Sequence, residues 1–482
     1  MNEKHISRVS ESKFEGCGIR RALLAASLTI AVSTAIASPA TVELRADSLP
    51  TSYGFSYFSD SPLPDSEKWW ETFNDPNLTR LMSLAAVNNY DIKAMLKRIE
   101  AARQVVRQAK AGYYPTIGLS AGYDVSRASG REAKPYDNES AISFFTVGAT
   151  MSWEVDVFGR VSAKVKADKA AVEASQCEFA GMQLSLAAQV GSYYSALRMY
   201  EEELKVARTH LKTQQEILAI AEARYKAGLV SKLDVVQAQN VVSTTELMIP
   251  EYESEVATSR VALATLCGVT YQDIAAITDN DTRPQLVPPS GIGIPADLIR
   301  RRPDIAQAEK DIEQLAAQLG VAKKEYLPSL TLNATIGTSA HDISDLFGKN
   351  SMSFEVAPTL SWTLFDGFAR SAAVAEAKAQ MEAEIDDYNM TIATAIQEVE
   401  NAMAKYEASK RQLALYDDVM TNSKELVDLA LERYRSGLSS FTDVADAQVT
   451  YLTNQTNYEV SRANCFVSLI NLYKALGGGF RY

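Results

Sequence analysis

The sequence predicts a mainly α-helical protein with membrane β: an internally duplicated protomer of long α-helical hairpins plus four β-strands. Three observations carry this. The segment RYKAGLVSKLDVVQAQ from Arg224 is restated as RYRSGLSSFTDVADAQ from Arg433, which sets Tyr225 and Tyr434 209 positions apart. Trp153 and Trp362 keep the same offset and Pro115 answers Pro328 at 213, so the repeat is a domain-sized unit rather than a short solenoid motif. Each copy then holds one very long helix-forming stretch and two stretches that alternate with period two.

Taken in order, Arg20 and Arg21 lead into an apolar run, Ala22 to Ala37, that ends Ala35-Ile36-Ala37 before Ser38. This is the pattern of an export signal over residues 1–37, cleaved after Ala37, and the run is shorter than the ~20 residues a bilayer-spanning helix requires. Residues 38–68 form an extended N-terminal segment, 69–270 the first repeat, 271–294 a linker and 295–482 the second repeat. From Arg160 to Tyr225 there is no proline and only two glycines, and from Arg370 to Tyr434 there is neither. Both read as helix, and at 1.5 Å per residue each rod would reach roughly 100 Å, a length that needs partners along all of it. Each rod stops at the repeated glycine, Gly228 or Gly437, where a left-handed cap and a second helix make a tight hairpin tip.

At the other end of each rod, Ile117, Leu119, Ala121, Tyr123 and Val125 alternate with small or polar residues, as do the apolar residues of 143–155. The second copy repeats this, giving strands at about 116–126, 143–155, 329–338 and 353–364. Pro115 and Pro328 mark the change from helix to strand, because proline removes a donor and pushes its predecessor to extended geometry. Gly159 and Gly367 allow the sharp return from strand to helix. Ten alternating residues are what a tilted membrane-crossing strand requires; a soluble sheet with one buried face is the other reading, and the export signal favours the membrane. Four strands cannot close a barrel, and an open edge is not tolerated in lipid, so self-assembly is expected; three protomers would supply twelve strands.

The net charge of −12 becomes −14 once residues 1–37, with five basic and three acidic side chains, are removed. That argues against nucleic acid as a partner. Cys177, Cys267 and Cys465 lie in apolar helical surroundings without metal-ligand spacing, and His5, His210 and His341 belong to no ligand pattern, so no metal site and no cofactor are expected. No nucleophile set, phosphate loop or carboxylate pair suggests an enzyme. The run Arg300-Arg301-Arg302-Pro303-Asp304 reads as a helix start with Pro303 in the first turn.

These residues resemble a known family. WWETFNDPNLTRLM, YYPTIGLSAGY, EYLPSLTL, RRRPDIAQAE, SWTLFDGFAR, the two tip motifs and LYKALGGGF are similar to the TolC-like outer membrane factors, closest to their OprM/NodT branch, from about Trp69 to Tyr482. The resemblance implies a homotrimer: a twelve-stranded β-barrel in outer membrane lipid, continuous with a periplasmic α-barrel. It further implies docking to a periplasmic adaptor protein and, through it, to an inner-membrane pump of a tripartite, RND-type efflux system that passes small molecules outward. A TolC-like duct for type I protein secretion shares the architecture, and a soluble periplasmic coiled-coil protein is the alternative of another class. Many relatives carry a lipidated cysteine; here Cys17 precedes the apolar run and none follows Ala37 until Cys177, which argues against a lipid anchor.

The resemblance also assigns sites. Gly228, Leu229 and Ser231, with Gly437, Leu438 and Ser440, fall in the adaptor-docking tips, and the glycines and hydroxyls also fit helix capping. Asp446 matches the acidic residue that rings a constricted entrance in some relatives, with Thr442 one turn earlier and Asp443 beside it. A solvated position on a helix face is the other reading of Asp446. Gln237 stands at its place in the first copy. Arg224, Tyr225, Asp234, Arg433 and Tyr434 are candidates for bracing the tips, or for ordinary packing and solvated charge.

Overall fold

The computed structural model describes residues 52–54, 68–127, 141–289 and 291–478. The expected export signal, most of the segment 38–68, the loop 128–140 and the final Gly479 to Tyr482 lie outside them. In chain order the elements are α1 (Pro76–Asn88), α2 (Tyr90–Ala111), β1 (Thr116–Ser126), β2 (Ile142–Val155), α3 (Arg160–Lys226), α4 (Lys232–Cys267) and α5 (Tyr271–Thr278). They continue with α6 (Pro295–Arg301), α7 (Pro303–Lys324), β3 (Ser329–Ala340), β4 (Met352–Ser361), α8 (Ala369–Arg435) and α9 (Phe441–Ala475). The two rods, α3 and α8, are each 67 residues long. Among the described residues no single helix is long and apolar enough to cross a bilayer.

The residues fall into two compact units, and neither is one repeat. One takes the described residues up to Lys97, Gln176–Gln307 and those from Tyr388; the other takes Arg98–Ser175 and Ala308–Asp387. Each unit thus draws on both copies.

The second unit holds a four-stranded antiparallel sheet in the order β1-β2-β3-β4. The copies join at β2 and β3, from Phe145 opposite Ala340 to Val155 opposite Leu330. Gly148 faces Gly337 there, and a Cβ on Gly337 would stand 2.8 Å from the Val147 carbonyl oxygen, so this crossing needs glycine. β1 and β4 are the sheet's edges. Their apolar residues Ile117, Leu119, Tyr123 and Val125, and Phe354, Val356 and Leu360, are exposed. Pro115 and Pro328 stand immediately before β1 and β3, while Gly159 (φ 76°) and Gly367 (φ 67°) follow the returning strands in left-handed geometry. β4 ends at Ser361, short of the expected 364. Trp362 donates its indole N–H to the Tyr326 carbonyl (3.0 Å) and Arg370 donates to the Thr363 carbonyl (2.5 Å), so these residues are drawn off to the helix ends rather than into a ladder.

The first unit is built around aromatic and polar anchors. Asp75 caps α1 by accepting from the Asn77 and Leu78 N–H groups and takes the Tyr194 hydroxyl proton donor on its other oxygen at 2.8 Å. Trp69 stacks on Tyr473 at 5.2 Å and Phe73 meets Phe466 edge-on at 4.9 Å, which fastens the WWETF turn to α9. The segment 271–294, expected as linker, opens with α5: the Thr270–Asp273 capping box starts the helix, and Ile274 and Ile277 are buried. Pro303 does open α7, and Arg302 is buried beside it, donating to the Ala475 carbonyl (3.0 Å) and pairing with Asp304 and Glu398.

Candidate functional site

The two hairpin tips lie in the helical unit and close in the same way. At the first, the Gly228 N–H donates to the Tyr225 carbonyl and the Leu229 N–H to that of Arg224, both at 2.9 Å; at the second, Gly437 donates to Tyr434 (3.0 Å) and Leu438 to Arg433 (2.9 Å). This paired ending requires a left-handed residue, and Gly228 (φ 71°) and Gly437 (φ 73°) provide it. Leu229 and Leu438 are exposed at the turns. Ser231 and Ser440 take the extended N-cap backbone of α4 and α9, but the expected hydroxyl caps are not made: neither side chain accepts a helix N–H. At the first tip the reason is local, since the Ser231 hydroxyl donates instead to Asp234 Oδ1 at 2.7 Å. That leaves the Asp234 carboxylate in the first turn of α4, where the positive end of the helix dipole favours it.

Of the residues expected to brace the tips, the structure joins Arg224 and Tyr434. The Arg224 guanidinium donates from Nη1 to the Tyr434 carbonyl (2.6 Å) and lies 4.9 Å from the centre of the Tyr434 ring. That ring is 2% exposed, meets Phe441 edge-on at 5.4 Å, and belongs to a core with Ile217, Ala221, Ala238, Val444 and Ala447. Burial pushes the Tyr434 phenol pKa up, with the Asp234 carboxylate adding to the rise and Arg224 opposing it. Tyr225 is 43% exposed, with the Lys232 ammonium 5.6 Å from its ring centre, and Arg433 is exposed. The three gate candidates, Thr442, Asp443 and Asp446, are all exposed on α9. Only Thr442 is tied across the copies, where Gln237 donates to its hydroxyl at 3.2 Å.

Several groups escaped the sequence reading. Phe441 supplies the aromatic edge on Tyr434, and Gln237 reaches Thr442 rather than merely standing in for Asp446. On α3 the core face carries Glu203, His210 and Gln214 above Ile217 and Ala221, all of them buried. The signal was present as polar residues at helical spacing within an apolar stripe. Burial, with Glu459 and Glu251 nearby, pushes Glu203 up to about 7. Burial pushes His210 down, its Nε2 standing 2.7 Å from Gln455 Oε1. Neighbouring carboxylates are paired instead: Glu201 with Arg198 and Arg260, Glu202 and Glu459 with Arg283.

The two stretches that hold the tips match the sequence model of the outer membrane efflux protein family, over residues 81–269 and 294–478. The chain belongs to the outer membrane efflux protein family. Among its relatives is Nodulation protein T of Rhizobium leguminosarum bv. trifolii, 29% identical over 81% of this chain and 83% of that protein. The pyoverdine export outer membrane protein OpmQ of Pseudomonas aeruginosa is 27% identical over 90% of this chain and 91% of its own length. In structure the chain is similar to the outer-membrane channel OprN, with a TM-score of 0.80, 25% identity, and coverage of 89% of this chain and 97% of that one. As a member of this family the chain is an outer-membrane efflux channel, the exit duct of a tripartite system.

Proposed function

We propose that three copies of this chain form one duct, its twelve strands closing a barrel in the outer membrane and its helical hairpins presenting six periplasmic tips. The observation that carries this reading is the sheet: four strands whose edges, β1 and β4, are unpaired among the described residues and lined with exposed apolar side chains. Such edges are tolerated in lipid only when other strands complete them. Residues 1–37 direct export and the two repeats, 69–270 and 295–482, each contribute one hairpin and two strands. Leu229 and Leu438, exposed at the turns, are the apolar contacts offered to a periplasmic adaptor, which links the duct to an inner-membrane pump. The cargo is small molecules, conducted passively without a catalysed reaction, as the export named in the OpmQ relative also suggests. Native mass measurement of the detergent-extracted protein tests the assembly; a monomer as the sole species would refute it.

The entrance is narrowed by α9, where Thr442, Asp443 and Asp446 face solvent. Three Asp446 carboxylates around one lumen attract cations and repel anions. Asp446→Asn is expected to raise closed-state conductance and weaken cation preference in planar bilayers. Unchanged conductance and selectivity would leave Asp446 as a solvated helix-face residue.

A further inference from the structure

Within one chain, the Arg224 and Tyr434 contact joins the first tip to the second. The duplication provides a second set of the same parts, Arg433 and Tyr225, each 209 positions from its counterpart, and no contact between these two side chains is made among the described residues. The Arg433 side chain is exposed and makes no hydrogen bond or ion pair among the described residues, and Tyr225 is 43% exposed where Tyr434 is 2%. The apolar neighbours repeat the contrast: Ile217, in the core around Tyr434, is 3% exposed, and its counterpart Leu426 is 48% exposed. One surface of each tip is therefore a finished contact and the other is the same contact with half missing.

We propose that Arg433 of one copy seats on Tyr225 of the adjacent copy, so that the ring of tips alternates within-chain and between-chain seams. This rests on the trimeric reading above. The occupant is a second copy because this chain itself carries the matching half. The charges also suit it: the last carbonyls of α3, at Tyr225 and Lys226, are the negative end of a helix dipole and accept a guanidinium as those of Tyr434 and Arg435 accept Arg224. The two seams are unequal. Phe441, which packs edge-on against Tyr434, is replaced in the first copy by Lys232, whose ammonium already lies near the Tyr225 ring and repels an arriving Arg433. The between-chain seam is thus the weaker of the two.

Co-expression of Tyr225→Cys chains with Arg433→Cys chains tests the pairing, using a short bis-maleimide because an arginine stacked on a ring holds its Cα beyond disulfide reach. The native Cys177, Cys267 and Cys465 are buried and do not compete. The expected result is a covalent two-chain species from the mixture and none from either variant alone, with Arg433→Ala raising closed-state conductance more than Arg224→Ala. Trimers that form without this cross-link, or with Arg224→Ala the leakier variant, would overturn the pairing while leaving the trimer intact. Failure to form any multi-chain assembly, scored by native mass on the same samples, would overturn the trimer and the pairing together.

Discussion

The first tip, at Gly228, and the second, at Gly437, are closed by the same backbone hydrogen bonds at nearly the same φ, yet one tyrosine is buried and the other is half in water. The difference lies in what each copy places around a shared turn. Phe441 covers Tyr434 where Lys232 attends Tyr225, and Asp446 faces solvent where Gln237 binds Thr442. Higher on the rods, the buried Glu203 is matched in the second copy by Gln412, which is exposed. Duplication has kept the backbone devices, which any hairpin of this length needs, and released the side chains that decide which seam is tight. In the trimer proposed above, that would make one kind of seam tighter than the other.

The largest effect should come from removing the buried tyrosine. Tyr434→Ala loses an aromatic contact, a cation-π contact and core volume together, a loss of about 3–5 kcal/mol by analogy with other buried aromatic truncations. Tyr225→Ala, on the exposed side, should cost within about 0.5–1 kcal/mol. Amide hydrogen exchange across residues 217–238 and 430–447 measures both locally. Equal loss of protection in the two variants would mean that the tips are energetically alike despite their different burial.

Glu203→Gln makes the rods alike at that position and should change how stability depends on pH. The Glu203 carboxyl is raised from its ordinary 4.5 to about 7 by burial, then by Glu459 and Glu251. Between those values the folded chain holds a proton that the unfolded chain has released, so this group's contribution to stability falls as pH rises through the window, by about 3 kcal/mol in all. His210 works in the opposite sense: its lowered pKa favours the neutral ring in the fold and removes stability as pH falls below its ordinary value of 6.5. Denaturant midpoints of the wild type and Glu203→Gln, taken from about pH 5 to about pH 8, should separate the terms. The variant should lose the decline with rising pH and retain the His210 loss on acidification. An unchanged profile would assign the wild-type slope to other groups.

Much of the fold was legible because its devices are local. Period-two alternation marked all four strands, the absence of proline and scarcity of glycine marked both rods, and the prolines and glycines at the strand ends stand at the junctions themselves. What was not legible depends on contacts distant in sequence. The compact units cut across the repeats because β2 of one copy pairs with β3 of the other, and no local pattern reports that pairing. The last residues of the expected fourth strand were lost to Tyr326 and Arg370. At the tips the motif identified Arg224, Tyr225, Arg433 and Tyr434 as equivalent pairs. Only the tertiary fold decides that one pair meets within the chain, and the substitution of Lys232 for Phe441 was the available clue. The Ser231 cap failed for a similarly short-range reason, a competing carboxylate three residues on.

A smaller effect than at Tyr434 or Glu203, and the sharpest test of what the copies share, is at the two glycines. A Cβ at Gly228 would meet nothing within 4 Å, and one at Gly437 would reach only Arg224 Nη2, at 3.9 Å. Alanine is therefore excluded at neither site by crowding. The cost of Gly228→Ala or Gly437→Ala is the left-handed backbone alone, about 1–2 kcal/mol in each case. Asparagine, which tolerates that geometry, should recover part of it at both positions. If the tips differ only in their side-chain cover, the two alanine variants will lose stability equally in denaturant unfolding. A larger loss at Gly437 would show that the turn itself is coupled to the Arg224 clamp, and the division between a common backbone and a divergent cover would then fail at the second tip.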